Sequence, residues 1–532
     1  MFAAAVVSPE PCAVQSPSES VGHAAQACRQ CSRLKRKCLR ELPVCSLCIR
    51  LGKTCQYPAR RKAYGSRTTE KDQSASPAVS STSRNSHVIN PFPDAFFIDT
   101  ERFRSVPHST LSSAYPIPQQ VSQLLGPDVN AICELYFGSV DTWFPFISKK
   151  GLNLSIQSNL PSETAGLALL LLCMKLICTA PLLDTPASES TLYKTAKSFL
   201  NTIEEVSPVA LHVFQSLVLI ALYEVGHGIF PAAYLTVGRA VRLGILRGVH
   251  DRKNSTQLFV GPPTWTYVEE ERRTWWATSI LECFVNLNPT GFPLAIPEPA
   301  RGDLLPTTDS EWFQGKIGPN QALFMTGFAP NSTIGPFARV CQTSHILGRV
   351  INHRNYRKDS QNWEFILDEA IQLSATLSAL DSYVSQPMEA QPDDGATSAI
   401  DVALCTCARL VLYQMYACNE PDVLAPRRAE ETEMQADSIA GIKQIMSTRS
   451  PALARCVLRQ GTENLDRSNP LVIQCLYDTA TECRWFLREG DVVEGTETTL
   501  QLVIGALNLL AQRWAFAGKF QSAVGLSGMS QV

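Results

Sequence analysis

The chain has no apolar run of the 18 or so residues that a bilayer-spanning helix needs. The longest, 167–180, carries Lys175 and is expected to be a buried core helix, so no membrane is expected as a partner. Motifs of catalysis are missing as well. There is no G-x-S-x-G elbow, no H-E-x-x-H pair, no phosphate loop ending in Gly-Lys-Ser/Thr and no G-x-G-x-x-G. The eight histidines fall without metal-ligand spacing. These absences argue against an enzyme. A secretory leader is not expected either, because the apolar run 2–7 lacks a basic flank and stops at Pro9. With 45% apolar and 18% charged residues, the composition is globular.

Cysteine, by contrast, is plentiful, and six of the 18 crowd into one short stretch. Cys28, Cys31, Cys38, Cys45, Cys48 and Cys55 are spaced C-x2-C-x6-C-x6-C-x2-C-x6-C, a half-motif C-x2-C-x6-C written twice. A disulfide framework suits a secreted module, and nothing sends this chain to an oxidising compartment. An iron–sulfur cluster is the weaker metal alternative, since the residues between the ligands are basic or polar rather than shielding. A structural zinc takes four ligands. One zinc leaves two cysteines over, and two separate zincs need more than six. Six thiolates complete two tetrahedra only if two sulfurs bridge, and the duplication points to the first cysteine of each half, Cys28 and Cys45. So short a stretch buries little apolar surface, and its apolar residues are Leu34, Leu39, Leu42, Val44, Leu47, Ile49 and Leu51. Structural zinc contributes on the order of 10–16 kcal/mol per site in small peptides, which offsets the missing core. The other cysteines, such as Cys173, Cys178, Cys405 and Cys407, read as small buried hydrophobes.

The same stretch is strongly basic. From position 28 to 67 stand Arg29, Arg33, Lys35, Arg36, Lys37, Arg40, Arg50, Lys53, Arg60, Arg61, Lys62 and Arg67, opposed by Glu41 alone. The segment therefore carries +11 in a chain of net −2, which leaves −13 for everything else. A charge of this density on a metal-stapled module is the footprint of a nucleic-acid binder. A helix opening near Cys28 and ending around Lys35 presents Arg33, Lys35, Arg36 and Lys37 to the guanine O6 and N7 edges of the major groove. Arg50 and Lys53, around the helix-ending Gly52, suit phosphate contacts that position without reading sequence.

Ala27-Cys28-x-x-Cys31 through Lys35-x-Lys37-Cys38, then Pro43-x-Cys45-x-x-Cys48 and Gly52-x-x-Cys55-x-Tyr57, resembles the fungal binuclear zinc-cluster transcription factors. The resemblance implies two structural zinc ions held by all six cysteines, a double-stranded DNA partner, a CGG triplet read in the major groove, Lys35 as the base-reading lysine and a nuclear location. Leu34 stands where that family usually has Arg or Lys, so Arg33 and Arg36 are candidates to share the reading. The family often controls metabolic pathways, including biosynthetic gene clusters in filamentous fungi.

The fold class expected is mainly α: a small two-zinc DNA-binding module, a flexible linker and a large all-helical regulatory domain. Residues 1–23 read as disordered, 24–64 as the cluster domain, 65–120 as a Ser/Pro-rich linker, 121–520 as the helical domain and 521–532 as a tail. No sustained heptad appears in 58–120, so pairing through a coiled coil is not expected there. The aromatic and acidic segment 90–103 suits either docking of the transcription machinery or packing on the domain that follows. Helical periodicity marks 129–137, 164–179, 192–205, 209–225, 231–246, 269–287, 362–384, 399–417, 433–446, 470–488 and 499–517. Loops are expected at 289–306 and 315–336. Ala240-x-Arg242, Gly248-Val249-His250-Asp251, Glu270-Glu271-Arg272-Arg273-Thr274-Trp275-Trp276 and Asp303-Leu304-Leu305-Pro306 resemble the middle homology region of the same family. This copy has Glu282-Cys283 and Gly291-Phe292-Pro293 where the family often has Asp-Arg and Gly-Arg-Pro. Arg272, Arg273, Trp275 and Trp276 are expected on a helix with a charged stripe and a packed aromatic face. Two functions fit: a sequence-specific transcription regulator, or an all-helical ligand-sensing or interaction protein whose cluster binds nucleic acid non-specifically.

Overall fold

Helix dominates the regular structure, and β-structure is limited, among the described residues, to isolated bridges such as Leu304 with Ala322. The computed structural model describes residues 24, 26–33, 36–57, 92–105, 115–158, 164–181, 185–206, 210–258, 264–325, 334–357, 363–390, 398–417, 428–490 and 493–523. Its contacts divide into two units, Met1–Asn85 and Ser86–Val532.

In the first unit the helices Arg29–Arg33 and Ser46–Arg50 are five residues each. Helices this short do not hold themselves in water. The buried apolar set is Cys28, Cys31, Cys45 and Cys48, with Val44, Leu47 and Tyr57 half-buried against it. Leu39, Leu42, Ile49 and Leu51, four of the seven apolar residues available, are exposed. The cysteines are thus the core of this unit.

The second unit is built on a continuous helical core. Leu211–Gly226 is apolar on every side and is buried almost throughout, as such a helix must be. It packs against Thr164–Cys178, Ala232–Leu246 and Trp265–Val285. At its end an added Cβ on Gly226 would lie 2.4 Å from the Trp514 ring, so only glycine admits that indole. A second group centres on Ser398–Ala417, which packs against Pro336–Tyr356, Trp363–Ala390 and Ala429–Gln444. The stretch Ile400–Ala417 is long and apolar enough by composition to cross a membrane, but 78% of it is buried inside the fold. Its charges are paired there: Asp401 accepts from Arg339 at 2.9 Å, and Arg409 meets Asp381 at 3.0 Å. Starts of helices are capped as their sequences suggest: Asp128 accepts from the Ala131 N–H and Thr264 from the Tyr267 N–H.

Most expected helices are present, with shifted ends. The periodic stretch 499–517 is broken in two, Thr496–Ala511 and Ala515–Ala523, by a turn at Gln512–Trp514 that buries Trp514. Pro336–Tyr356 has no counterpart among the expected helices, because Arg339, Gln342, Thr343, Ser344 and His353 are all buried in it and dilute its apolar period. Residues 92–105 fall inside the stretch expected as a linker. They form the short helices Ala95–Ile98 and Thr100–Ser105, with Phe103 buried in the helical core and Phe96 stacked edge-on to it at 5.1 Å. Hydrophobic payload overrides the Ser/Pro-rich context there.

The expected charged stripe on Trp265–Val285 turns inward instead. Arg273 is fully buried. Its guanidinium donates to Glu269 at 3.1 Å, Asp309 at 3.0 Å, the Pro145 carbonyl at 2.9 Å and the Thr307 carbonyl at 2.8 Å, and it lies over the Trp312 ring. Such burial is tolerated because every charge has a partner. Trp276 is buried and donates to the Leu304 carbonyl at 3.1 Å, and Trp275 is half-buried. Where Asp-Arg was the family pattern, Glu282 accepts from the Ala295 N–H at 2.6 Å and holds the following loop.

Candidate metal centre and nucleic-acid interface

The duplicated half-motif folds into a duplicated backbone. In the first half Ser32 N–H donates to the Cys28 carbonyl and Arg36 N–H to the Cys31 carbonyl; in the second, Ile49 N–H donates to Cys45 and Lys53 N–H to Cys48. Both pairs of equivalent cysteines are 17 positions apart. Each C-x2-C thereby presents its two sulfurs from one helical turn. Three further bonds close the module. Arg29 N–H donates to the Gln56 carbonyl at 2.8 Å, Tyr57 Oη to the Glu41 carbonyl at 2.7 Å, and Ala24 N–H to the Arg40 carbonyl at 2.7 Å. Glu41 accepts from the Ser46 N–H at 2.7 Å and so caps the second helix. The reading from sequence assigned Glu41 no role, although its standing as the lone acid in a basic stretch was a usable signal.

The sulfurs converge. Cys28 Sγ lies 3.8 Å from Cys45 Sγ and 3.6 Å from Cys48 Sγ, and Cys31 Sγ lies 3.6 Å from Cys45 Sγ and 3.9 Å from Cys48 Sγ. A zinc–sulfur bond of about 2.3 Å gives a tetrahedron edge of about 3.8 Å, so these separations fit a zinc thiolate centre. All four sulfur positions lie within 4.8 Å of one another. Cys38 and Cys55 are half-buried and pack against the four, and Cys55 Sγ accepts from the Cys45 N–H at 3.4 Å. The donor set is sulfur alone, as soft divalent metals prefer.

Acidity separates the cysteines. Burial, with hydrogen bonds from neighbouring thiols, pushes Cys31 up, and does the same to Cys48, to about 12. Burial also acts upward on Cys28, but the Cys31 N–H, 3.4 Å away, and the surrounding thiols outweigh it and bring Cys28 down to about 6. Cys45 is lowered in the same way, the Cys48 N–H outweighing burial. The first cysteine of each half is therefore the readier thiolate. Packed thiols cannot all ionise alone, and cations relieve that repulsion.

Around this centre Arg33, Arg36, Lys37, Arg50 and Lys53 are exposed, and their side chains make no hydrogen bond or ion pair among the described residues. Lys35 and Leu34 lie outside the described residues, as do Arg60, Arg61, Lys62 and Arg67. The first helix is described over Arg29–Arg33, and its expected end near Lys35 falls outside the described residues.

Residues 26–64 match the model of the fungal Zn(2)-Cys(6) binuclear cluster domain, and residues 133–384 match that of the fungal specific transcription factor domain. The chain is 38% identical over 179 residues to the transcription factor BOA15 of Botryotinia fuckeliana, which covers 34% of this chain and 98% of that protein. It is 25% identical over 347 residues to the azaphilone cluster-specific transcription factor azaR of Aspergillus niger, 62% of this chain and 72% of the other. A citrinin biosynthesis transcriptional activator of Monascus ruber is 23% identical over 382 residues, again 62% and 72%. No solved structure matches the chain.

Proposed function

This chain belongs to the fungal transcription factors that carry a Zn(2)-Cys(6) binuclear cluster, and we propose that it acts in the nucleus on a secondary-metabolite gene cluster, reading CGG-type triplets in the major groove. Membership makes it a DNA-binding transcription regulator and not an enzyme, with two zinc ions bound through its six-cysteine domain. The pathway part of the proposal draws on relatives named for azaphilone and citrinin biosynthesis.

The division of labour proposed is a DNA-reading head at 24–64 and a helical regulatory body later in the chain. Bound zinc would cross-link the two half-motifs through the six cysteines, and Cys28 and Cys45 would be the sulfurs the two ions share. Both are fully buried and both receive the N–H that lowers them. Lys35 reads guanine, Arg33, Arg36 and Lys37 share or flank that contact, and Arg50 and Lys53 hold phosphates. The observation that carries this reading is the set of exposed, unpaired basic side chains around a buried thiolate cage, in a chain whose remainder is acidic.

A gel-shift series with CGG-containing and scrambled duplexes at fixed salt tests it. Tighter binding to the CGG duplex is expected, and equal affinity for both would reduce the cluster to a non-specific binder. Lys35→Ala should cost roughly 1–3 kcal/mol on the CGG duplex and little on the scrambled one. A uniform loss would make Lys35 a phosphate contact.

A further inference from the structure

Within the helical unit a cavity of ≈ 180 Å³ lies between Trp265–Val285, Pro336–Tyr356 and the loop that carries Leu294 and Asp303. A cavity of about 150 Å³ in another protein takes up benzene, so this one has room for a single substituted ring. Its apolar wall includes Trp275, Trp276 and Leu294, flat surfaces suited to an aromatic face. Gly348 keeps the space open: a Cβ there would already be in contact with Cys283 Sγ at 3.4 Å and Leu294 Cδ1 at 3.6 Å.

The polar groups on this wall are under-used. Ser344 is fully buried, yet its Oγ has no hydrogen-bond partner, and buried His250 Nδ1 has none either. A fully buried hydroxyl without a partner is destabilising, so a ligand that engages it recovers that loss. Arg349 is half-buried and makes no hydrogen bond or ion pair among the described residues. On the other side stand His250, whose ring centre is 6.1 Å from that of Trp275, and the carboxylates Asp251 and Asp303. These two sit near enough for Asp251 to raise Asp303, after burial as the larger cause. Asp251 already accepts from the Lys253 and Asn254 N–H groups and the Asn254 amide, and Asp303 from the Ala300 N–H. The cavity therefore offers a cation, an aromatic floor and two unused polar atoms, Ser344 Oγ and His250 Nδ1, which a plain hydrocarbon would leave unanswered.

We propose that this cavity binds a small aromatic carboxylic acid, one ring in size, whose carboxylate meets Arg349 and whose ring hydroxyl donates to His250 Nδ1. This ligand site is independent of the DNA-reading assignment. Calorimetric titration of the full-length, zinc-loaded chain with 4-hydroxybenzoate tests it, with benzoate and phenol as partial probes. One molecule should bind per chain with Kd below about 1 mM, and each partial probe should bind more weakly. Arg349→Met should weaken 4-hydroxybenzoate by about tenfold or more, as loss of a charge-assisted bond implies, while helical circular dichroism is kept. Gly348→Leu should abolish binding by filling the space. If that variant does not fold, Asn352→Leu, at a lining residue whose side chain makes no hydrogen bond among the described residues, narrows the same cavity. Absence of binding by the wild-type chain overturns the proposal, as does binding that survives both Arg349→Met and the cavity-narrowing variant.

Discussion

Cysteine is buried in both units and behaves oppositely in them. In the helical unit Cys173, Cys178 and Cys283 lie deep in the core, and burial pushes them up to about 12, 11 and 12 against hydrogen bonds with Ser216, Ser139 and Ser344. In the cluster unit Cys28 is also closed to solvent, but far less protein packs around it, so the Cys31 N–H and neighbouring thiols outweigh burial and bring it down to about 6. Burial alone therefore makes an inert thiol. The C-x2-C turn, which aims an N–H at the first sulfur and brings a second half alongside, makes a ligand. The same contrast holds for stability: one unit has a continuous apolar core, the other has four sulfurs in its place.

The largest effect expected comes from removing zinc. Chelation, or Cys28→Ala, should withdraw about 10–16 kcal/mol per site and unfold residues 24–57, read as collapse of their amide NMR dispersion. The helical circular dichroism should persist, and DNA binding should vanish. Melting of the helical unit in step would erase the distinction between the two.

The counterpart in the helical unit is Arg273→Met, which leaves Asp309 buried without its cation and Glu269 with Arg272 alone. Breaking such a pair costs about 3–5 kcal/mol, measurable as a lower urea midpoint, while CGG recognition by the cluster should be retained. A smaller effect is pH-dependent. Burial raises Glu270 from 4.5 to about 7, against hydrogen bonds from the Ser148 N–H and Gln215. Between those values the folded state holds more protons than the unfolded one, so stability falls as pH rises through the window. Glu270→Gln keeps an acceptor for Ser148 and should flatten that part of the stability–pH curve. An unchanged slope would assign it to other buried acids. The smallest change is Glu41→Ala, which removes the cap on Ser46 and should cost the cluster unit about 1 kcal/mol, seen as faster zinc loss to a competing chelator.

The cluster was legible because ligand chemistry fixes spacing locally: six thiols at repeated intervals leave few alternatives, and the folded backbone repeats at the same interval. The apolar helices were legible for a similar reason, their periods lying within one stretch of chain. Pro336–Tyr356 was not, because its buried Arg339 and His353 are satisfied by Asp401 and by Glu369 with Tyr416, partners remote in sequence. The burial of Arg273 was not legible for the same cause: its partners Asp309 and Pro145 lie 36 and 128 residues away. For the segment 92–105, packing on the following domain was one of two readings, and Phe103, with Phe92 and Phe96 against the helical core, favours it, although no local pattern names their partners.

Zinc stoichiometry tests the central claim most directly. Native mass spectrometry of the zinc-loaded chain should find two zinc ions per chain, with none of the six clustered thiols open to alkylation. One zinc per chain, with two of those six thiols reactive, would contradict the shared-sulfur cluster.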